Sequence, residues 1–487
     1  MWHFSIMAQA IKRIYIANDD HTDYMWTANE TQYDSAFVKM LDYYLDQIDS
    51  TKGNPSDFQA RFNCDGSYWL RAYQKFRTPA QFKRLINSIR SGHISSPLNF
   101  LVSTYGAQPT EAVIRGMYPA GKLEREYNLR FPLAVCMENQ TLPLGLSSLW
   151  AGAGAKYSWR GVCGCVSRFS NKDLMQRKHQ LYKYTGLDKR SVIMKWYDLG
   201  QNNATPGGYA EARGEYKPKD TLAALGLVIS SLEKMCDTIS TDSRYPYNIA
   251  GAFGYGWDDL ATYVSPYFIN AAITNSNNNK RVRVSNEEDF FKDVETSYPN
   301  LPAESITYGN EWDLYCPSMN ETTAKVRRAL EQLRGAEALY TLIALKNKDF
   351  ANGLDDIRQL AWESYGMYWE HDWTADGPIS RRDRADWQIK ISKQITAYTD
   401  TLFTLVKKEF STYLLANEKP RFYVFNPLSW ERDDVADVYY NGKLPVRVFE
   451  DGTGKEVTSQ VITKQGKTAI RIWAKNIPSV GYKIFEI

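Results

Sequence analysis

The stretch Ile14-Tyr-Ile-Ala-Asn-Asp-Asp-His-Thr-Asp-Tyr-Met-Trp26 decides how the rest of the chain is interpreted. Its apolar start predicts a short buried strand. The polar residues that follow then lie just past the carboxyl end of that strand, where the catalytic residues of parallel barrels gather. His21 and Asp23 stand two residues apart, so on an extended segment their side chains point the same way and can ligate one metal ion. A solvated loop with an isolated histidine is the alternative interpretation.

The composition is ordinary for a soluble globular protein, apart from its high aromatic content. Basic residues number 59 and acidic residues 56, which gives a net charge of only +3 and indicates no nucleic-acid partner. No apolar run approaches the ~18 residues of a membrane span. The 33 tyrosines and 14 tryptophans suit stacking on flat sugar faces, although core packing also uses such residues. An oligosaccharide or glycan is therefore one possible partner, and the oligomeric state stays open.

The cysteines and the N-terminus add no further motif. No Cys-x-x-Cys pair occurs among the six cysteines, and Cys163-Gly-Cys165 is too weak a signal for a metal or redox site, so free buried thiols are expected. The N-terminal segment lacks the basic and long apolar stretches of a secretory signal. The location stays open, with an extracytoplasmic protein whose export signal is absent from this chain as one alternative.

Strand and helix patterns alternate through the first part of the chain. The spacing of apolar residues predicts a helix over Ala36–Ile48 and further helices over 67–76, 79–91, 111–118 and up to Trp150. Predicted strands cover Phe58–Phe62, Leu98–Ser103, Pro132–Met137, Ser191–Tyr197 and Tyr247–Phe253. This alternation predicts parallel βαβ units over residues 10–315, arranged as a barrel or as an open doubly wound sheet.

The remainder of the chain predicts two further domains. Residues 316–418 contain helical patterns over 320–350, Gly353–Trp369 and Ser380–Leu415, which predict a three-helix bundle. Residues 419–487 alternate between strands and turns, with Asp451-Gly-Thr-Gly454 as a hairpin turn. This all-β segment predicts the opening, truncated part of a β-sandwich domain.

Three more polar groups stand at positions where chemistry is possible. Glu138 follows an apolar strand directly, although a carboxylate at a helix N-terminus has the same pattern. Asp258 and Asp259 are adjacent, so their repulsion can raise the pKa of one of them and make it a proton donor, with a surface turn as the alternative. His371-Asp372 lies between two predicted helices, where the histidine is either a metal ligand or a packed core residue.

The order of these groups along the chain resembles the family 38 glycoside hydrolases, the α-mannosidases. The resemblance rests on His-x-Asp-x-x-Trp after the first strand, a carboxylate after a middle strand, Gly-x-Asp-Asp and a late His-Asp. The segments Phe425-Asn-Pro-Leu-Ser-Trp430 and Ile477-Pro-Ser-Val-Gly-Tyr482 are typical of where the β domains of that family begin. The resemblance covers the catalytic region, the helical bundle and the start of the β domain.

The resemblance implies a seven-stranded β/α barrel, a three-helix bundle and β domains, with one zinc ion per chain. His21, Asp23, Glu138 and His371 would be the zinc ligands. Glu138 would also be the nucleophile and Asp259 the acid/base residue. Trp26, Asp258 and Asp372 would bind the sugar, with Trp26 beneath it.

The chain departs from the family pattern at several positions. Tyr24-Met25 replaces the usual Pro-Gly, and Trp373-Thr-Ala-Asp-Gly377 is longer than the usual segment. Glu138 replaces the usual aspartate, and its extra methylene moves the carboxylate by ~1.5 Å. An acidic residue expected after the third strand is replaced near Ser103-Thr104.

Three functions follow from this pattern. The first is a retaining, zinc-assisted α-mannosidase that cleaves terminal α-mannosidic bonds, with the two catalytic carboxyl groups ~5–5.5 Å apart. The second is a carbohydrate-binding homologue in which Glu138 has impaired turnover. The third is a zinc hydrolase of another type, such as a deacetylase, in which no glycosyl-enzyme forms.

Overall fold

The computed structural model describes residues 11–137, 141–161, 178–196, 211–213, 220–237, 244–309, 311–373, 377–413 and 418–487. The chain divides into one unit of Met1–Thr323 with Trp362–Ser392 and another of Ala324–Ala361 with Lys393–Ile487. This division groups the residues around His371 with the first part of the chain. The three domains expected at 10–315, 316–418 and 419–487 therefore stay a prediction.

The helices and strands are labelled in chain order. The helices are α1 (Glu30–Thr51), α2 (Tyr68–Phe76), α3 (Pro79–Arg90), α4 (Thr110–Gly116), α5 (Tyr118–Tyr127), α6 (Leu146–Ala153), α7 (Thr221–Asp237), α8 (Ser265–Asn275), α9 (Glu287–Ser297), α10 (Asn320–Ala344), α11 (Asp355–Tyr368) and α12 (Arg381–Ser411). The strands of the first unit are β1 (Lys12–Ile16), β2 (Phe62–Asn63), β3 (Ile94–Ser95), β4 (Tyr157–Arg160), β5 (Leu181–Thr185), β6 (Ser191–Trp196), β7 (Ile249–Ala252), β8 (Lys280–Val284) and β9 (Ala303–Glu304). Those of the second are β10 (Arg421–Asn426), β11 (Arg432–Tyr439), β12 (Val448–Glu450), β13 (Glu456–Val457), β14 (Ser459–Lys464), β15 (Lys467–Ile477) and β16 (Gly481–Glu486).

The first unit is a mixed α/β structure built on several small sheets. Strand β1 lies between β7 and β8, parallel to both, and β2 pairs in parallel with β3. A further sheet has the order β4-β6-β5-β9, in which only β5 and β6 are antiparallel. The predicted parallel pairing is confirmed for every neighbouring pair of these strands except β5 with β6. The described residues close no barrel, so the predicted seven-stranded barrel is not confirmed.

Two predicted strands are wrong, and of a third, Phe58–Phe62, only Phe62 lies in a strand. Leu98–Ser103 and Pro132–Met137 lie in no strand; a single bridge joins Leu133 to Tyr157. Each segment follows or contains a proline, which donates no ladder hydrogen bond. The backbone after the first proline pairs with the residues around His371 instead, through a bridge between Ser103 and Glu370. The apolar runs are buried as predicted, but as irregular chain.

Helix α1 confirms the helix predicted over Ala36–Ile48 and extends it in both directions. Asn29 caps its N-terminus and forms a capping box with Gln32, which fixes where the helix begins. The apolar residues that carried the prediction are all buried. Tyr44 on this helix accepts a hydrogen bond from Asn18 Nδ2 at 2.8 Å. Helix α1 is thereby fixed against the chain that follows β1.

The predicted β-segment is confirmed as two antiparallel sheets. One has the order β10-β16-β12-β13 and the other β11-β15-β14. Val448 and Phe485 from the first sheet share a buried core with Ile470, Ile472 and Ala474 from the second. In the predicted turn, Glu450 N donates to Lys455 O at 2.9 Å. This arrangement matches the predicted sandwich-type segment.

A buried ion pair fixes the end of β7, which leads to Asp258. Lys195 Nζ on β6 lies 2.5 Å from Glu211 Oε2, with both side chains almost fully buried. The same carboxylate oxygen accepts a hydrogen bond from Phe253 N at 3.0 Å, just past β7. Burial lowers the pKa of Lys195 to about 8, although the Glu211 carboxylate acts to raise it. The pair joins β6 to the chain that leaves β7.

We expect Lys195→Met to destabilise the protein strongly, because it leaves the Glu211 carboxylate buried without its cation. The expected loss in the free energy of unfolding is about 3–5 kcal/mol, measured by urea denaturation followed by circular dichroism. Lys292→Met on α9 is the control, because Lys292 is 53% exposed in its pair with Glu288. It should cost at most about 1 kcal/mol. Equal stability of the two variants would contradict this account.

Candidate metal centre and carboxylate pair

The candidate site forms where the loops after β1 and β7 meet. The two strands are parallel neighbours, so the chain leaves both at the same edge of the sheet. His21 N donates to Gly256 O at 3.3 Å, and Asp20 forms a parallel bridge with Gly256. This register carries His21 and Asp23 to the side of Asp258.

Three of the predicted metal ligands converge on one point. His21 Nε2 lies 2.8 Å from Asp23 Oδ1, and His371 Nε2 lies 3.3 Å from the same oxygen. The donor atoms of the three residues lie within 4.8 Å of one another, and both histidines are fully buried. Two imidazole nitrogens with one carboxylate form a donor set that zinc accepts. The residues present therefore fit a zinc ion.

The irregular chain after Leu98 places His371 in this cluster. His371 N donates to Val102 O at 3.1 Å, and Thr104 N donates to Trp369 O at 2.8 Å. Trp312 lies over the imidazole of His371, with ring centroids 6.2 Å apart. The position of His371 therefore depends on contacts between parts of the chain that are distant in sequence.

Each histidine has a second carboxylate beside its Nδ1 nitrogen. Asp65 Oδ2 lies 3.3 Å from His21 Nδ1, and Glu370 Oε1 lies 2.8 Å from His371 Nδ1. A carboxylate at the far nitrogen of a metal-ligating histidine holds the ring in orientation and raises its basicity. Neither Asp65 nor Glu370 was expected at this site from the sequence. Asp65 could have been found because it follows β2 as His21 follows β1.

The electrostatics of the cluster favour a charged Asp23. Burial alone would raise the pKa of Asp23, but the imidazoles of His21 and His371 hold it well below its usual value. Burial raises the pKa of Asp65 more than His21 lowers it. Of these two carboxyl groups, only the one that faces both histidines has its pKa lowered below the usual value.

Asp258 and Asp259 have different environments. Burial, followed by the charge of Asp23, raises the pKa of Asp258 to about 7. Asp258 Oδ1 lies 2.7 Å from Tyr33 Oη and 3.4 Å from Asp23 N. Asp259 is 41% exposed, and its Oδ2 accepts a hydrogen bond from Arg213 Nη1 at 2.8 Å. Of the pair, Asp258 faces the metal cluster and carries the raised pKa, whereas Asp259 stands at the surface beside a cation.

The hydroxyl of Tyr33 joins the two loops. Tyr33 Oη lies 2.5 Å from the carbonyl oxygen of Asp23 and 2.7 Å from Asp258 Oδ1. The carbonyl only accepts, so one hydroxyl proton serves both oxygens when Asp258 is ionised. A protonated Asp258 instead donates to Tyr33, which leaves the tyrosine proton for the carbonyl. Tyr33 therefore couples the Asp23 loop to the Asp258 turn.

The backbone of this region adopts conformations that favour glycine. Met25 has a φ of +63° and Asp258 a φ of +55°. Such left-handed residues are uncommon outside glycine and cluster at functional sites. The Pro-Gly that the resemblance expects at 24–25 thus has a physical reason, since glycine takes this conformation without strain.

The remaining predicted residues lie around the cluster or outside the described chain. Trp26 is partly buried, with Gly377 packed against its indole ring. Asp372 Oδ2 lies 3.8 Å from His371 Nε2, and its side chain is mostly buried. Glu138 lies outside the described residues. Its roles as nucleophile and metal ligand, and its separation from Asp259, stay predictions.

The architecture is a mixed α/β structure followed by helices and a β-sandwich segment. A His-Asp-His cluster lies beyond the carboxyl ends of two parallel strands of the α/β structure. An α-mannosidase from Enterococcus faecalis V583 matches it with a TM-score of 0.69 at 14% identity, over 98% of this chain and 56% of that chain. A glycosyl hydrolase family 38 protein from Enterococcus faecalis matches with a TM-score of 0.60 at 15% identity, over 98% and 54%. The chain has the fold of these structures and spans about half of their length.

Comparisons at the level of sequence add nothing to this likeness. No protein-family model matches the chain, and no curated protein matches it. Within the described residues, every helix is too short or too polar to cross a bilayer.

We expect Tyr33→Phe to destabilise the protein, because it removes the only proton that Tyr33 offers to two buried acceptors. The expected loss in the free energy of unfolding is about 1–3 kcal/mol, measured by urea denaturation. Tyr267→Phe on α8 is the matched control, because Tyr267 is 46% exposed, and it should change stability by less than about 0.5 kcal/mol. Indistinguishable variants would refute the coupling of the two loops by Tyr33.

Proposed function

We propose that this protein is a glycoside hydrolase that cleaves terminal α-mannosidic bonds with retention of configuration, assisted by one bound zinc ion. The observation that carries the proposal is the convergence of His21, Asp23 and His371. The fold adds support, because an α-mannosidase shares it across 98% of this chain. Glu138 is proposed as the fourth ligand from the sequence pattern.

The proposed chemistry divides between two carboxyl groups. Zinc bound at these residues would supply a Lewis acid for two neighbouring sugar hydroxyls and favour a distorted ring. The Glu138 carboxylate attacks the anomeric carbon and forms a glycosyl-enzyme ester, while Asp259 donates its proton to the departing glycosidic oxygen. In the second step Asp259 takes a proton from water, whose oxygen displaces Glu138. Configuration is retained because the anomeric carbon inverts twice.

The surrounding residues have matching roles in this proposal. Asp259 is partly exposed, so it can reach a leaving group and exchange protons with solvent. Arg213 donates to the ionised carboxylate and so supports the second step, in which Asp259 takes a proton from water. Trp26 offers an apolar face for the sugar, and Asp372 and Asp258 offer oxygens to its hydroxyls.

Impaired turnover is the second candidate, and the identity of residue 138 favours it. Glutamate stands where the family pattern has aspartate, and a displacement of about 1 Å at a reacting atom can cost roughly 100-fold in rate. The protein would then bind mannosides without cleaving them at a useful rate. Glu138→Asp separates the two functions, because increased hydrolysis would show a degraded active site.

We expect the purified protein to hold one zinc ion per chain by metal analysis. Zinc at 100 times its dissociation constant should raise the free energy of unfolding by about 2.7 kcal/mol. His21→Asn and His371→Asn should abolish this stabilisation. The control is His93→Asn, whose imidazole pairs with Gln59 at 2.9 Å. The metal site would be refuted if the His93 variant and the two ligand variants responded alike.

We expect hydrolysis of an aryl α-mannoside that depends on both carboxyl groups. Asp259→Asn and Glu138→Gln should each lower kcat/KM by roughly 10²–10⁴-fold, as for lost acid–base or nucleophilic groups. A 2-deoxy-2-fluoro-α-mannoside should label Glu138, detected by mass spectrometry of the digested protein. Asp356→Asn, at an exposed position on α11, is the control. Hydrolysis without labelling would contradict the double displacement, and mannoside binding without hydrolysis would favour the second candidate.

A further inference from the structure

We propose that Arg384 is a positioning residue that ties the two metal-ligand loops together and thereby sets the zinc affinity of the site. This inference rests on the zinc site of the proposed function. It concerns Arg384 and the Glu370 carboxylate, neither of which is among the proposed zinc ligands His21, Asp23, Glu138 and His371.

Arg384 is a buried cation with two different acceptors. It lies on α12 with its side chain 1% exposed, and its Nη2 donates to Glu370 Oε2 at 2.5 Å. Its Nη1 donates to the carbonyl oxygen of Tyr24. Its guanidinium also lies over the Trp387 ring, 4.9 Å from the centroid. One planar group therefore bonds one residue beside His371 and one residue beside Asp23.

The Glu370 carboxylate lies between Arg384 and His371 and connects them. Its Oε2 is held by Arg384, while its Oε1 lies 2.8 Å from His371 Nδ1. Arg384 thus holds the carboxylate with its other oxygen beside Nδ1, which is the arrangement of a carboxylate that orients a metal-ligating histidine. With Nδ1 facing Glu370, the opposite nitrogen of His371 faces Asp23.

The Tyr24 carbonyl connects Arg384 to the loop that carries Asp23. The loop is tight, because Trp26 N donates to Asp23 O at 2.9 Å. Farther along the chain from His371, Ile379 N donates to Trp26 O at 2.9 Å, so the same segment holds the loop at a second point. Of these two bonds, the one from Arg384 to the Tyr24 carbonyl lies nearer to Asp23. The distance between the two ligands therefore depends on this guanidinium.

Lysine cannot replace arginine here. The guanidinium presents donors in a fixed plane toward two acceptors, whereas an ammonium is a compact charge on a flexible stem. Arg384→Lys keeps the charge that Glu370 needs but removes the fixed fork. Glu370→Gln keeps the shape of the side chain and removes the anion beside His371. The two variants test the link from its two ends.

The test is zinc affinity, measured by competition with a chromophoric chelator on the full chain after circular dichroism has shown that each variant is folded. Arg384→Lys and Glu370→Gln should each weaken zinc binding by roughly 10–100-fold. The absorption spectrum of the cobalt(II)-substituted protein should change in both, since ligand geometry changes and not only stability. Arg382→Lys is the control on the same helix, because Arg382 is 83% exposed.

The outcomes separate this inference from the function on which it rests. Wild-type protein that binds no zinc would overturn both. Wild-type binding with unchanged affinity and cobalt spectrum in Arg384→Lys would overturn the positioning role alone. Should Arg384→Lys fail to fold, Glu370→Gln decides: unchanged affinity overturns the role, and weakened binding with an altered cobalt spectrum supports it.

Discussion

The approach of two buried imidazoles to one carboxylate is the constraint on which the rest of the structure depends. His21 and His371 both face Asp23 Oδ1, and both rings are removed from solvent. Buried polar groups are costly unless they have partners. Asp65 and Glu370 stand at the far nitrogens of the two rings, so each histidine lies between two carboxylates. Each histidine of the cluster is therefore held by carboxylates at both of its ring nitrogens.

Both regular strands and irregular chain position the residues of this cluster. Regular parallel pairing of β1 with β7 brings the loop of His21 beside the turn of Asp258. Irregular chain positions His371, because the backbone of the residues after Pro97 forms hydrogen bonds to the segment that carries it. A strand paired on both sides there would use its backbone groups in a sheet and leave none for this segment. The site thus lies where regular structure ends.

Local patterns predicted much of this, and long-range contacts explain the rest. The apolar spacing of α1 and the His-x-Asp pair after β1 can be read from neighbouring residues, because they depend on one strand or one helix. The strand expected over Leu98–Ser103 failed because an apolar run indicates burial without indicating a ladder partner. Asp65 lies beyond the end of the strand expected at Phe58–Phe62, and its partner is 44 positions away in sequence at His21. Arg384 gives no sequence signal, since its role depends on two distant acceptors.

The most direct test of the central claim is a crystal structure of the zinc-loaded protein with anomalous data at the zinc edge. The account predicts one strong anomalous peak between His21, Asp23 and His371, with the Nε2 atom of each histidine about 2.0–2.1 Å from the metal. A peak at other residues, coordination through Nδ1, or no peak at saturating zinc would contradict it.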